Sequence, residues 1–150
     1  MNLEQKIMDG IKAAMKTKDK EKLEALRAVK SAILLAKTEK GGKTELDEAA
    51  ETSLLQKLVK QRKESAEIYQ HQNRKELYEK EISEAEIIAS FLPEQITDEQ
   101  LEAELKNIIA ETGASGISDM GKVMGMATRV LAGQADGKRI SSMVRTLLNA

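Results

Sequence analysis

The stretch Phe91-Leu92-Pro93-Glu94-Gln95-Ile96-Thr97-Asp98-Glu99-Gln100-Leu101 contains the only proline in 150 residues, and its reading decides the architecture. Proline disfavours helical geometry in the residue before it, so a helix arriving at Phe91-Leu92 ends there. Just beyond, Thr97 and Gln100 have the spacing of a capping box, in which each side chain binds the other's backbone N–H. A new helix therefore opens after Thr97, with Leu101, Leu105, Ile108 and Ile109 at helical spacing. This stop and start divide the chain into an N-terminal helical region, 1–92, and a second domain, 96–150.

Upstream of the division the apolar periodicity is helical throughout. Leu3, Ile7, Met8, Ile11 and Met15 describe a first amphipathic helix reaching about Lys16. Leu23, Leu26, Val29, Ile33 and Leu34 describe a second, capped near Asp19. Gly41-Gly42 interrupts the pattern. The Gly42-Lys43-Thr44 that follows imitates the end of a phosphate-binding loop, but Lys37 stands where that loop needs its first glycine, and a helix precedes it instead of a strand. Thr44 with Asp47 fits a variant capping box. The third helix then carries Leu54, Leu55, Leu58, Ile68 and Tyr69 to about His71, and a fourth holds Leu77, Ile82, Ala85, Ile88 and Ala89.

Downstream, Gly113 is a natural left-handed stop for the fifth helix. After Ala114–Ile117, Ser118 can cap a sixth helix. Asp136 can cap a seventh that buries Ile140, Met143, Val144, Leu147 and Leu148. The fold class expected is all-α, a long-helix region followed by a compact three-helix module. Composition agrees: aromatics are 2% of the chain, which disfavours a β-sheet core.

Several chemistries are excluded. There is no cysteine, hence no disulfide, thiolate zinc site or cysteine nucleophile. His71 is the only histidine, which rules out a multi-histidine metal site, and Glu67 stands four residues from it, not the three of a di-iron motif. Ser115 sits in Gly-Ala-Ser-Gly with no preceding strand and no later histidine to serve as base. No catalytic residue, metal or cofactor is assigned. The lysine-punctuated N-terminus lacks an apolar signal core and no apolar run reaches membrane-spanning length, so a cytoplasmic protein without a membrane partner is expected.

Charge and glycine are unevenly spread. Gly113–Ala150 holds six of the nine glycines and five basic against two acidic residues, whereas residues 44–112 hold eight basic against seventeen acidic. The last third is thus the place to meet a polyanion, and the middle would repel one. On a helical wheel, Met120, Val123, Met124, Ala127, Val130 and Leu131 form an apolar face. Gly121, Gly125, Thr128 and Ala132 form a stripe of small residues beside it, flanked by Lys122 and Arg129. Each interior glycine costs about 1 kcal/mol relative to alanine, so the stripe implies close approach by something. A neighbouring helix and a sugar–phosphate backbone both meet that description. In Asp136-Gly137-Lys138-Arg139, two cations stand in the first turn of a helix, where the macrodipole disfavours them and where free N–H groups can seat a phosphate. The candidate RNA-binding set is Lys122, Lys138, Arg139, Arg129, Gly121, Gly125 and Gly137. Without aromatic platforms, recognition of folded RNA by shape and phosphate suits this region better than stacking on single strands.

Phe91-Leu92-Pro93-Glu94-Gln95, Asp119-Met120-Gly121-Lys122-Val123-Met124-Gly125 and Ala135-Asp136-Gly137-Lys138, in this order and spacing, closely resemble the YqeY family, also described as GatB/YqeY proteins. The resemblance covers essentially the whole chain. It implies a helical N-terminal part followed by a small helical domain similar to the tail of GatB, the tRNA-contacting subunit of a glutamine-dependent amidotransferase. It thereby implies tRNA as the polyanion, with an amidotransferase or an aminoacyl-tRNA synthetase as a possible protein partner, in an accessory role for translation. Two other functions stay open: a protein–protein adaptor binding a translation enzyme through its helices, and carbon–nitrogen ligase activity with glutamine as amido donor. The ligase reading lacks the active-site part of GatB and any ammonia-generating machinery in this chain. Arg139 follows the last motif lysine, so its assignment rests on charge alone.

Overall fold

The protein is described by a computed structural model covering residues 2–39, 41 and 45–149. Its described residues form seven α-helices, α1 (Leu3–Thr17), α2 (Lys20–Glu39), α3 (Glu48–His71), α4 (Lys75–Ala89), α5 (Asp98–Thr112), α6 (Met120–Val130) and α7 (Gly137–Leu148), with one 3₁₀ turn at Ile117–Asp119 and no strand. The all-α reading holds. Two compact units follow one another, Met1–Leu92 and Pro93–Ala150.

Local chemistry sets the helix ends. Asn2 and Gln5 form a reciprocal capping box at α1, and Asp19 accepts the Lys22 N–H at the start of α2 (3.2 Å). The start of α3 belongs to Asp47, whose carboxylate accepts the Ala50 N–H at 2.7 Å. Thr44, expected to share that cap, lies outside the described residues, as do Gly42 and Lys43. Helix α5 has the capping box expected of Thr97 and Gln100 and ends on Gly113 at φ 69°, a left-handed conformation that costs glycine nothing. Ser118 does not cap α6. It lies inside the 3₁₀ turn, and the neighbouring Asp119 carboxylate reaches back to the Ser115 N–H (3.0 Å) instead of capping the helix. A tightened first turn takes the place of a side-chain cap there.

In the first unit, α1 packs on α2 and α3 packs along α4, with α2 touching both partners of the second pair. Ile7, Leu26, Val29, Leu55, Val59 and Ile88 are among the buried residues of one continuous cluster. Gly10 is small for a visible reason: a Cβ there would stand 2.9 Å from Leu26 Cδ1. Two half-buried charges, Arg62 and Glu84, join α3 to α4 at 3.3 Å. Several residues that complete the apolar periodicity are not in this core. Met8, Met15, Leu34, Ile68 and Leu77 are exposed, each at the edge of its helix's apolar stripe.

In the second unit, Leu101, Leu105, Val123, Ala127, Leu131, Ile140 and Val144 are all buried in one cluster contributed by α5, α6 and α7. Val130, assigned to the apolar face of α6, is 48% exposed at the rim of that face.

Candidate nucleic-acid interface on the second unit

The segment that follows the first motif is clamped to the residues flanking the last one. The segment around Pro93 lies against the turn before α7: Ile96 N–H donates to the Gln134 carbonyl (2.9 Å) and Gln95 Nε2 donates to the Gly133 carbonyl (2.7 Å). The third bond of the clamp comes from Arg139, whose Nη2 donates to the Ile96 carbonyl at 2.9 Å and to Asp98 Oδ1 at 2.7 Å. Gln95, Ile96 and Asp98 are therefore tied to Gly133, Gln134 and Arg139, which holds the start of α7 against the segment before α5. The Arg139 guanidinium is engaged in that clamp through Nη2, and its side chain remains one-third exposed.

Helix α7 starts as its sequence dictates. Asp136 has extended backbone geometry and its Oδ1 accepts the Arg139 N–H at 2.7 Å. Among the described residues, the N–H groups of Gly137 and Lys138 have no acceptor, and the Lys138 ammonium has no carboxylate partner. The start of α7 borders an open groove of about 420 Å³, lined by Asp98, Leu101, Asp136, Lys138, Arg139, Ser142, Met143 and Thr146. Its two carboxylates offset its two cations, so the groove as a whole carries little net charge.

The solvent face of α6 is different. Val123 and Ala127 point into the core, and Gly121, Lys122, Gly125, Thr128 and Arg129 are all exposed on the opposite side. A Cβ built on Gly121 or Gly125 would meet no atom of the described residues within 4 Å. Among the described residues of the second unit no helix packs on the small-residue stripe, so close packing within that unit does not account for it. The Thr128 hydroxyl turns back onto the helix, donating to the Met124 carbonyl at 2.9 Å, and leaves the surface smooth. Lys122 and Arg129, seven residues apart and so on one face, have no partner among the described residues, and α6 contains no acidic residue.

The candidate residues thus fall into two groups: Gly121, Lys122, Gly125 and Arg129 on α6, and Gly137, Lys138 and Arg139 at the start of α7. The sequence reading missed Asp98 as the partner of Arg139, since the pair is separated by 41 residues. It also missed Ser142 and Thr146, although with Lys138 they recur every four residues along α7, a polar stripe that marks a groove wall.

The chain is similar to two curated proteins, both named "Altered inheritance of mitochondria protein 41, mitochondrial". The one from Lachancea thermotolerans is 34% identical over 110 residues, 72% of this chain and 58% of that protein. The one from Pyrenophora tritici-repentis is 28% identical over 147 residues, 97% of this chain and 80% of that protein. The chain therefore spans less than two thirds of the first relative's length. These names overturn the expectation of a cytoplasmic protein. The physical basis of that expectation was narrow: mitochondrial targeting uses amphipathic, arginine-rich segments, not the apolar signal core whose absence was noted. No helix among the described residues is long and apolar enough to cross a membrane. The model of the family described as Yqey-like protein matches residues 4–148, all but a few terminal residues, and the chain belongs to the YqeY family.

Proposed function

We propose that the protein is a non-catalytic tRNA-binding accessory of translation, and that the exposed face of α6 with the start of α7 forms its contact surface. The observation that carries this reading is the α6 face: two glycines with open space above them, flanked by two unpartnered cations and no acid. Glycine on an exposed helix face is costly and buys nothing inside this fold. A phosphodiester backbone lying along Gly121 and Gly125 would use the space, with Lys122 and Arg129 on its phosphates and Lys138 and the free N–H groups of α7 seating another. Arg139 serves chiefly as a positioning residue, through the Ile96 carbonyl and Asp98. tRNA is the partner class that the family resemblance suggests, and the mitochondrial names of the relatives support an organellar setting for the work.

The test is a tRNA anisotropy titration across a salt series, comparing wild type with Lys122→Glu/Lys138→Glu. Each phosphate contact adds about 0.7–0.9 to the slope of log K against log salt, so losing two should flatten it by roughly 1.5 and weaken binding at least about tenfold at low salt. Superimposable titrations, or no binding by wild type at low salt, would refute the proposal.

A further inference from the structure

The first unit carries a surface of another kind, independent of the reading of α6 and α7. Residues 2–39 contain six carboxylates, and the fold engages four of them: Glu4 with Lys37, Asp19 as the cap of α2, Glu21 with the Ser83 hydroxyl at 2.9 Å, and Glu24 with Lys80 at 3.2 Å. Of the nine basic side chains in the same stretch, Lys37 alone has a partner among the described residues. Folding therefore engages four of the hairpin's six carboxylates, two of them in ion pairs, and leaves eight of its nine cations unpaired among the described residues.

Some of those cations border apolar side chains that folding left outside the core. At 100° per residue, Met8 and Met15 share one flank of α1 beside Ile11, which packs against the core, and Leu23, Arg27, Lys30 and Leu34 share one flank of α2. The Glu4–Lys37 pair shows that these flanks adjoin, since Glu4 lies between Ile11 and Met15 on its wheel and Lys37 lies beside Lys30 on its own. Met8 is 41% exposed, Met15 57% and Leu34 50%. Lys12, Arg27 and Lys30 are exposed around them. From Leu23 to Leu34 the strip runs about 16 Å, three turns of a helix.

We infer that this face docks an acidic amphipathic helix of a partner protein. An apolar strip of helix length accepts one face of a helix, flexible methionines adapt to its side chains, and a cationic border selects for an acidic rim. Exposed thioether and leucine side chains offer an RNA strand nothing to stack on, whereas a helix buries them.

The probe is an 18-residue Glu/Leu/Ala peptide of amphipathic pattern, with a scrambled peptide of equal composition and charge, titrated against the full chain by NMR. Selective shifts of the Met8 and Met15 methyl signals with the amphipathic peptide are expected. Binding should weaken on the order of tenfold in Lys12→Glu/Arg27→Glu/Lys30→Glu. Met8→Gln/Met15→Gln, changes at exposed positions with no core contact to lose, should weaken it comparably while leaving the melting curve unchanged. Equal binding of both peptides would reduce the face to unspecific charge and overturn the inference. So would absence of binding at low salt, tighter binding of a 12-residue RNA to the same methyl groups, or a concentration-dependent dimer dissolved by the triple charge reversal.

Discussion

Replacing Gly125 with alanine should move stability and binding in opposite directions. Gly125 lies in the interior of α6, its φ is not in the left-handed region, and a Cβ there would meet no atom of the described residues within 4 Å. The methyl group has no clash to make and the helix gains its propensity difference, about 0.5–1 kcal/mol. In a domain of this size 1 kcal/mol corresponds to about 4–8 °C in Tm, so the unfolding step of the second unit, followed by circular dichroism of the full chain, should rise by about 2–8 °C. Gly121, second in the helix, should gain less. If a phosphodiester backbone lies on this face, the same methyl intrudes into a close contact, which by comparison with overpacked interiors costs about 1–2 kcal/mol, or about 5- to 30-fold in Kd for tRNA. A fall in Tm would show that the face is packed and the geometry is misread. A rise in Tm with an unchanged tRNA titration would remove the main support for RNA contact at α6.

Other perturbations test the frame around the site. Arg139→Gln removes the donor to the Ile96 carbonyl and Asp98, and should destabilise the second unit by about 1 kcal/mol, a modest value because the pair is partly solvated; urea unfolding measures it, and Lys138→Gln should change it little. Asp136→Ala uncaps α7 and should cost about 1 kcal/mol in the same assay, whereas Asp136→Asn should be nearly silent. In the first unit the glycine logic reverses: Gly10→Val drives methyl groups into fully buried Leu26 and should cost about 1–3 kcal/mol, read from the thermal transition. Finally, the hydrogen bonds that Lys37 and Lys80 donate to the Glu4 and Glu24 carboxylates raise the two lysines above the ordinary lysine value of 10.5. Stability from these pairs is complete below pH 10.5 and is lost as pH rises through the raised values. A Lys37→Gln/Lys80→Gln variant should therefore show a shallower loss of helicity than wild type in an alkaline titration above pH 10.5.

Much of this molecule is written locally. The end of α4 before Pro93, the Thr97/Gln100 box, Gly113 and the Asp136 cap are each decided within four residues, so they can be read from the chain and recur in the structure. Helical periodicity likewise identifies the cores, because the face of a helix is a property of its own residues. Periodicity overstates them at the margins, and Met8, Met15, Leu34, Ile68, Leu77 and Val130 are the examples: whether an edge position is buried depends on a neighbour that the helix itself does not specify. Among the site residues, the sequence by itself determined that Lys122, Arg129, Gly121 and Gly125 share a face, and that Lys138 and Arg139 begin a helix. Only the tertiary structure decided that no helix among the described residues of the second unit covers that face, that Arg139 is tied to Asp98 across 41 residues, and that four of the six carboxylates in residues 2–39 are engaged within the first unit. Those are long-range pairings, and charge and spacing along a chain constrain which pairs can form without selecting which ones do.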